Sequence, residues 1–396
     1  MGIVATALLF FLIVGIPIGI AFGLAALIGG NILNIPLDSF ASVANQAVNS
    51  FPLLAIPLFI LAGQIMSQGN IVNRLIEVSE LFLGKVKGSL GYVTVIASAL
   101  LGAITGSSVA TVSAMGSTIG GKMIDKGYKR GYVASLIAGA GLLGVLIPPS
   151  IPLILYGATV GVSVSNLFLG AMIPGIVIIF MFLLIHRLIN KHVMTANVNP
   201  NINLTSVKNS KGNTLFKSIP ALFMPVLILG GIYSGIFTPT EAAAIACLYG
   251  LIVALFSRSI KIKQLPKVFY ISAISSAAIL SIIAFSNMFN YMIVLEQIPQ
   301  SIAEYAMSIT DNKYIFLILM SLVLFLVGMF METNAAVLLM GVLLAPAAIQ
   351  FGINPIHFGI ILVTNIEIGL LTPPMAANIY VSAKVNKSSL HEMLPY

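Results

Sequence analysis

The sequence predicts an all-α polytopic membrane protein built as an inverted-topology repeat, and three observations carry that reading. Hydrophobic residues make up 59% of the 396 positions and charged residues only 8%, against about 25% charged in an ordinary soluble protein. With a mean hydropathy of +1.07, too little polar surface is left to cover a water-soluble body of this size. Two apolar stretches, about 90–121 and about 314–346, are longer than the roughly 20 residues that one crossing takes. Finally, Pro148-Pro149 recurs as Pro373-Pro374, an offset of about 225. The composition also excludes other classes. A single Cys247 rules out a disulfide framework and any Cys-based metal site. The +8 formal charge lies between apolar segments rather than on one face, so no nucleic-acid partner is expected.

Taken in order, the first 30 residues are apolar but lack the basic start and small-residue cleavage site of a signal peptide. Residues 3–33 read either as one tilted helix or as two short ones around Pro17. Further apolar stretches cover about 50–67, 90–121, 131–160, 166–189, 218–236, 241–257, 268–294, 314–346 and 357–382. A straight helix of about 32 residues would measure about 48 Å, well beyond a hydrocarbon core of about 30 Å. The 90–121 and 314–346 stretches are therefore expected to be re-entrant helical hairpins. The stretch 70–84 is amphipathic, with Ile71, Leu75, Val78 and Phe82 opposed to Arg74, Glu77 and Glu80, and its counterpart is 296–309. Thr238-Pro239-Thr240-Glu241 has the residues of a capping box.

Charge gives the orientation. Arg187, Lys191, Lys208, Lys211 and Lys217 lie in 187–217, and Arg258, Lys261, Lys263 and Lys267 in 258–267, with no acid in either. The loop 122–130 sets Lys122, Lys126, Lys129 and Arg130 against Asp125. By the positive-inside rule these three are cytoplasmic. The segment 295–313 holds Glu296, Glu304 and Asp311 against Lys313, and 347–356 has no charge, so both are placed outside. The first hairpin then opens to the cytoplasm and the second outward. The chain divides into a first repeat (1–165), a connecting helix with a basic linker (166–217) and a second repeat (218–396). Inverted repeats of this kind typify secondary transporters.

Small polar residues sit at mid-hairpin in both halves, Thr105-Gly106-Ser107-Ser108 and Glu332-Thr333-Asn334. A hairpin tip within a membrane leaves backbone groups that protein, water or a ligand must satisfy. Hydroxyl and amide oxygens beside free carbonyls suit a hard monovalent cation such as sodium. A lone Ser or Thr more often bonds back within its own helix, but two matched clusters favour an ion site. Each Pro-Pro pair breaks its helix, aiming positive helix N-termini at an anion and freeing carbonyls near Gly144 and Leu371 for cations. The expected sodium ligands are Thr105, Ser107, Ser108, Gly144, Thr333, Asn334, Leu371 and Thr372. The expected substrate contacts are Ser108, Pro149, Ser150, Tyr156, Asn334, Pro374 and Asn378. Apart from Arg187, near the end of the 166–189 stretch, no Arg or Lys falls within an apolar span, so helix ends, side-chain donors and bound cations must neutralise an anionic substrate. Glu332 and Glu367 read as coupling groups or buried pairs, and His357 as an interfacial residue. Intramembrane proteolysis is excluded, because Asp38, Asp125 and Asp311 all lie in linkers and no Ser–His pair is evident within the spans.

Four motifs, in order along nearly the whole chain, resemble the large membrane subunit (DctM type) of TRAP transporters. They are Gly106-Ser107-Ser108-Val109-Ala110-Thr111, Leu146-Ile147-Pro148-Pro149-Ser150-Ile151-Pro152, Gly235-Ile236-Phe237-Thr238-Pro239-Thr240-Glu241-Ala242-Ala243-Ala244 and Leu371-Thr372-Pro373-Pro374. The resemblance implies a sodium-coupled importer of organic acids such as C4-dicarboxylates or sialic acid in the cytoplasmic (inner) membrane, working by an elevator motion. It implies two protein partners, a small four-helix membrane subunit (DctQ type) and an extracytoplasmic substrate-binding protein (DctP type). It places the sodium sites at the two hairpin tips and the Pro-Pro breaks, with no organic cofactor. A self-sufficient sodium-coupled anion carrier of a related elevator class is the alternative. Family members usually run past the stretch matching 390–395 into another hydrophobic segment, so the stop at Tyr396 implies a fragment or a member without that segment.

Overall fold

The structure, a computed structural model, describes residues 2–69, 71–84, 86, 88–194 and 211–396. Most of the basic linker, Lys208 included, lies outside the described residues, as do the side chains of Lys191, Lys211 and Lys217. Among the described residues the chain is helical throughout, apart from one isolated bridge between Tyr128 and Met194. Among these described residues six helices are long and apolar enough to cross a membrane, or seven if one bent pair counts as a span.

The N-terminal stretch forms two short helices, α1 (Gly2–Ile13) and α2 (Ile18–Ile32). Gly15, with φ at +87°, turns the chain between them, and Pro17, with its fixed φ, starts the second. An amphipathic α3 (Leu37–Val48) buries Phe40 and leads into α4 (Ala55–Gln68). The predicted amphipathic stretch is α5 (Ile71–Leu83), with Leu75 and Ile76 buried. The first hairpin follows: α6 (Ser89–Thr105) reverses at Gly106-Ser107 into α7 (Ser108–Met115), which continues through a π-helical turn, Gly116–Gly120, into α8 (Gly121–Asp125). The broken helix comprises α9 (Arg130–Ala140), α10 (Leu143–Leu146) and, past Pro148-Pro149, α11 (Ile151–Val160).

The 30-residue α12 (Val164–Val193) is followed by α13 (Lys211–Tyr233) and α14 (Pro239–Phe256). The capping box forms as expected: the Glu241 carboxylate accepts from the Thr238 N–H at 2.8 Å, and the Thr238 hydroxyl oxygen accepts from the Glu241 N–H at 3.3 Å. After α15 (Leu265–Leu295), the order of the first half returns. An amphipathic α16 (Ile298–Ile309) precedes the hairpin of α17 (Lys313–Phe330) and α18 (Thr333–Gln350). Then come α19 (Pro355–Gly369), the Pro373-Pro374 break, α20 (Ala377–Asn386) and a short α21 (Leu390–Met393). Both hairpins and both breaks lie where chain length and proline placement put them.

The chain packs into two compact units, and each is made of separate pieces. The first unit holds residues 1–57, 152–167 and 273–370, with a core of Phe22, Phe40, Phe289 and Met292. Close approach within it depends on small residues: a Cβ on Gly23 of α2 would stand 2.7 Å from the ring of Phe285 on α15. The second unit holds 58–151, 168–272 and 371–396. There α20 packs on α9, where Ala134, Ala138, Ala383 and Met393 form a cluster. The chain passes from one unit to the other at both Pro-Pro breaks, so the compact units and the sequence repeats are different divisions of the molecule.

In the second unit the Lys129 N–H donates to Val193 O at 2.9 Å. The loop 122–130 and the start of the basic linker therefore sit at one end of that unit. Arg130 Nη1 donates to Lys387 O at 3.3 Å, which adds the end of α20 to the same basic end.

Candidate functional site

In the second unit the first hairpin tip meets the first break. Gly106 takes φ +60°, a left-handed cap that lets α6 stop and the chain reverse. Ser107 then caps α7, its hydroxyl oxygen accepting from the Ala110 N–H at 3.4 Å. Three oxygens converge behind the tip. The Thr111 hydroxyl donates to Ser107 O at 2.9 Å and lies 3.0 Å from the Thr105 hydroxyl, which is 3.5 Å from the same carbonyl. The backbone of α10 comes up against this cluster because residue 144 is glycine. A Cβ there would stand 2.5 Å from Thr111 Oγ1 and 2.6 Å from Ser107 O. Past the break, the Ile151 N–H donates to Gly106 O at 3.2 Å. Of the expected residues, Thr105, Ser107, Ser108, Gly144, Pro149 and Ser150 thus share one unit, with Ser108 and Ser150 buried.

The same unit contains the second break. Leu371 and Thr372 are half-buried and Pro374 is exposed. Asn378, in the first turn of α20, is fully buried, and neither its amide oxygen nor its amide nitrogen has a partner among the described residues.

The first unit carries the second tip. Glu332 caps α18: its carboxylate accepts from the Asn334 and Ala335 N–H groups at 3.0 and 3.2 Å, and from the Asn334 side-chain amide at 2.6 Å. Thr333 donates its hydroxyl to Glu367 Oε1 at 2.8 Å. The two acids that the sequence leaves between coupling and pairing are both engaged, one as a helix cap and one by a threonine hydroxyl. The Asn334 amide oxygen is buried without a partner among the described residues. Tyr156, expected at the substrate, lies here on α11. Its hydroxyl donates to Pro355 O at 2.8 Å, and its ring packs against Gly341 and Gly359.

Sequence reasoning leaves Thr111 out of the ligand set, although the hydroxyl completes the oxygen cluster. The available signal is its place one turn after Ser107, within reach of the Ser107 carbonyl, which also accepts the Thr111 N–H at 3.1 Å. No group of three or more His, Cys, Asp or Glu residues that could hold a metal ion occurs among the described residues. The site can offer neutral oxygens to a hard cation and helix N-termini to an anion, but it has no ligand set for a transition metal.

Residues 5–396 match the family described as the tripartite ATP-independent periplasmic transporter, DctM component. The chain is 38% identical over 360 residues to the C4-dicarboxylate TRAP transporter large permease protein DctM of Pseudomonas aeruginosa, covering 89% of this chain and 83% of that one. It is 34% identical over 387 residues to the isethionate TRAP transporter permease protein DctMQ of Oleidesulfovibrio alaskensis. That match takes in 97% of this chain, which spans 60% of the relative's length. Among solved structures it is similar to the YdaH transporter of Alcanivorax borkumensis, whose crystal structure is described as having an unusual topology. The TM-score is 0.61 at 16% identity, over 92% of this chain and 85% of that one. At that identity the likeness concerns the fold alone.

Proposed function

The chain belongs to the DctM component family of tripartite ATP-independent periplasmic transporters, and on that premise we propose that it is the permease of a sodium-coupled, binding-protein-dependent importer of small organic acids. As a family member it is a multi-pass transport protein of the inner membrane and not an enzyme. The observation that carries the sodium reading is the cluster of Thr105, Ser107 and Thr111 oxygens, closed on one side by Gly144. Neutral hydroxyl and carbonyl oxygens suit a hard cation.

For the organic anion, the second unit offers two helix starts. The N-termini of α7 and α20 carry the partial positive charge that attracts a carboxylate. The start of α18 is different, because the Glu332 carboxylate already caps it. The names of the relatives, a C4-dicarboxylate permease and an isethionate permease, support a small anion with a carboxylate or sulfonate head. In this reading a small membrane subunit and an extracytoplasmic binding protein complete the transporter, and an elevator motion carries the solute.

The test is reconstitution into liposomes under an inward sodium gradient, with C4-dicarboxylate uptake measured. The permease alone should take up little. Uptake should appear when the small membrane subunit and the cognate binding protein are both added, and should stop when sodium is replaced by choline. Vigorous sodium-driven uptake by the permease alone would overturn the tripartite reading in favour of a self-sufficient carrier.

A further inference from the structure

An apolar cavity of about 350 Å³ lies wholly within the second unit. Four helices line it: Ala138 and Gly139 come from α9, Phe182 from α12, Ile379 from α20 and Met393 from α21. Small residues on α9 make the room, and a Cβ on Gly139 would stand 2.9 Å from the Phe182 ring. The cavity follows the depth of the unit. Arg130 Nη1 donates to Lys387 O at the basic end, and the Ser382 hydroxyl donates to Ala134 O at 2.6 Å further in, so α9 and α20 are antiparallel. From Arg130 to Gly139 the rise along α9 is about 14 Å. The inner end of the lining is Pro373, at the second break. The outer end is Leu394 and Tyr396, which are 68% and 45% exposed, so the cavity opens toward the basic end.

The lining selects an apolar occupant. Only Ser135 and Tyr396 bring polar side chains to it. Ser135 spends its hydroxyl on Met393 O at 2.9 Å, and Tyr396 stands at the mouth. An organic acid or a cation finds no ligand set in such a space. A dry apolar cavity of about 150 Å³ already takes an apolar guest, and this one is larger. One turn of helix, about 10 Å across and about 5.4 Å high, occupies about 400 Å³, so a partner's helix does not fit inside. An extended hydrocarbon chain does. The mouth adds charge, because Lys129, Arg130, Lys384 and Lys387 are carried at this end of the unit. The neighbouring acid, Glu392, is engaged in capping α21: its carboxylate accepts from the Ser388 hydroxyl at 2.8 Å and the Ser389 N–H at 3.1 Å.

We propose that this cavity holds one acyl chain of an anionic phospholipid whose head group lies against the basic end. Basic pockets between helices on the cytoplasmic side of a membrane favour anionic head groups, and here an apolar slot continues inward from such a pocket. The chain enters past Leu394, runs beside Ala138 and Gly139 and ends toward Pro373, filling the space that the small residues of α9 leave beneath Phe182. This site is separate from the cation cluster and the helix starts assigned to the solute, and it does not rest on either.

The chain contains no tryptophan, so a single introduced indole reports on its own surroundings. Phe182→Trp puts it in the cavity. Phe180→Trp puts it on the open face of α12, where Phe180 is 67% exposed. The full chain is reconstituted in phosphatidylcholine bilayers with a minor fraction of lipid whose acyl chains are brominated and quench indole fluorescence on contact. Brominated phosphatidylglycerol should quench Phe182→Trp roughly threefold more than brominated phosphatidylcholine does, and the two should quench Phe180→Trp equally. Adding Ala138→Leu to Phe182→Trp should fill the cavity and remove the extra quenching. Lys384→Gln with Lys387→Gln should bring the ratio of the two lipids to one. Equal quenching of Phe182→Trp by both lipids would overturn the anionic head group, and a preference that survives the lysine changes would overturn its position. Extra quenching that persists with Ala138→Leu would overturn the cavity as the place of the chain. No quenching of Phe182→Trp by either lipid, with Phe180→Trp quenched, would show a cavity filled by protein and overturn the proposal whole. Folding is checked by monodisperse elution. If Phe182→Trp does not pass, Leu394→Trp at the mouth carries the same comparison, and the absence of a phosphatidylglycerol preference there overturns the proposal.

Discussion

His186 shows how a single residue can hold the first hairpin in place. It is fully buried on α12 among Tyr92, Tyr128 and Tyr132. A carbonyl can only accept, so the 2.9 Å contact to Gly88 O places the proton on Nε2. The neutral ring then accepts at Nδ1 from the Tyr132 hydroxyl, 2.6 Å away. Gly91 of α6 lies directly against the ring, where no side chain would fit. His186→Ala would orphan a buried carbonyl and a buried hydroxyl and leave a cavity, whereas Tyr132→Phe removes one partner of one bond. The expected cost is about 3 kcal/mol for the first and about 1 kcal/mol for the second. Thermal unfolding in detergent checks the ranking, and equal melting temperatures would refute it. Nearby Tyr128, in the loop outside the spans, has its phenol pushed up to about 12 by burial.

The element scale shows what the sequence makes legible. Hairpins follow from stretches too long to cross once, breaks from paired prolines, and the α14 start from Thr238 and Glu241 three residues apart. Each is a local signal, and each lies where it was expected. Thr111 and Tyr156 behave differently. The Thr111 hydroxyl matters because α10 brings Gly144 against it, and Tyr156 is engaged because α19 brings Pro355 O to it. Both facts depend on packing between elements distant in sequence, which no local pattern encodes. Glycine 144 tests the first of these contacts. Gly144→Ala forces a methyl group against Thr111 and Ser107 and should cost about 1–3 kcal/mol. It should also raise the sodium concentration needed for half-maximal uptake. Gly121→Ala, on α8 with open space around it, should be neutral or slightly stabilising. Equal behaviour of the two variants in unfolding and sodium titration would remove Gly144 from the tip.

At the scale of the whole molecule, charge and packing make one statement about sidedness. The loop 122–130, the chain at Val193 and the end of α20 share a basic end of the second unit, which the positive-inside rule assigns to the cytoplasm. Single cysteines in the Cys247→Ser background give the check. An impermeant maleimide added to intact cells should label positions in 299–312 and spare those in 261–264. Equal labelling of both segments would break the inverted arrangement.

The exchange of segments at the two Pro-Pro breaks also governs how the protein comes off the ribosome. Helix α20 packs on α7 and α9, yet roughly 240 residues separate it from α9 in the chain. At about 5–20 residues per second, the first hairpin and its neighbours wait on the order of ten to fifty seconds for their last helix. Throughout that interval the α9 surface at Ala134 and the glycines of the π-helical turn have no covering partner from their own chain. The nascent permease therefore depends on the insertion machinery or lipid to shield that face, and a ribosome stalled before residue 377 leaves a protein that cannot complete its second unit.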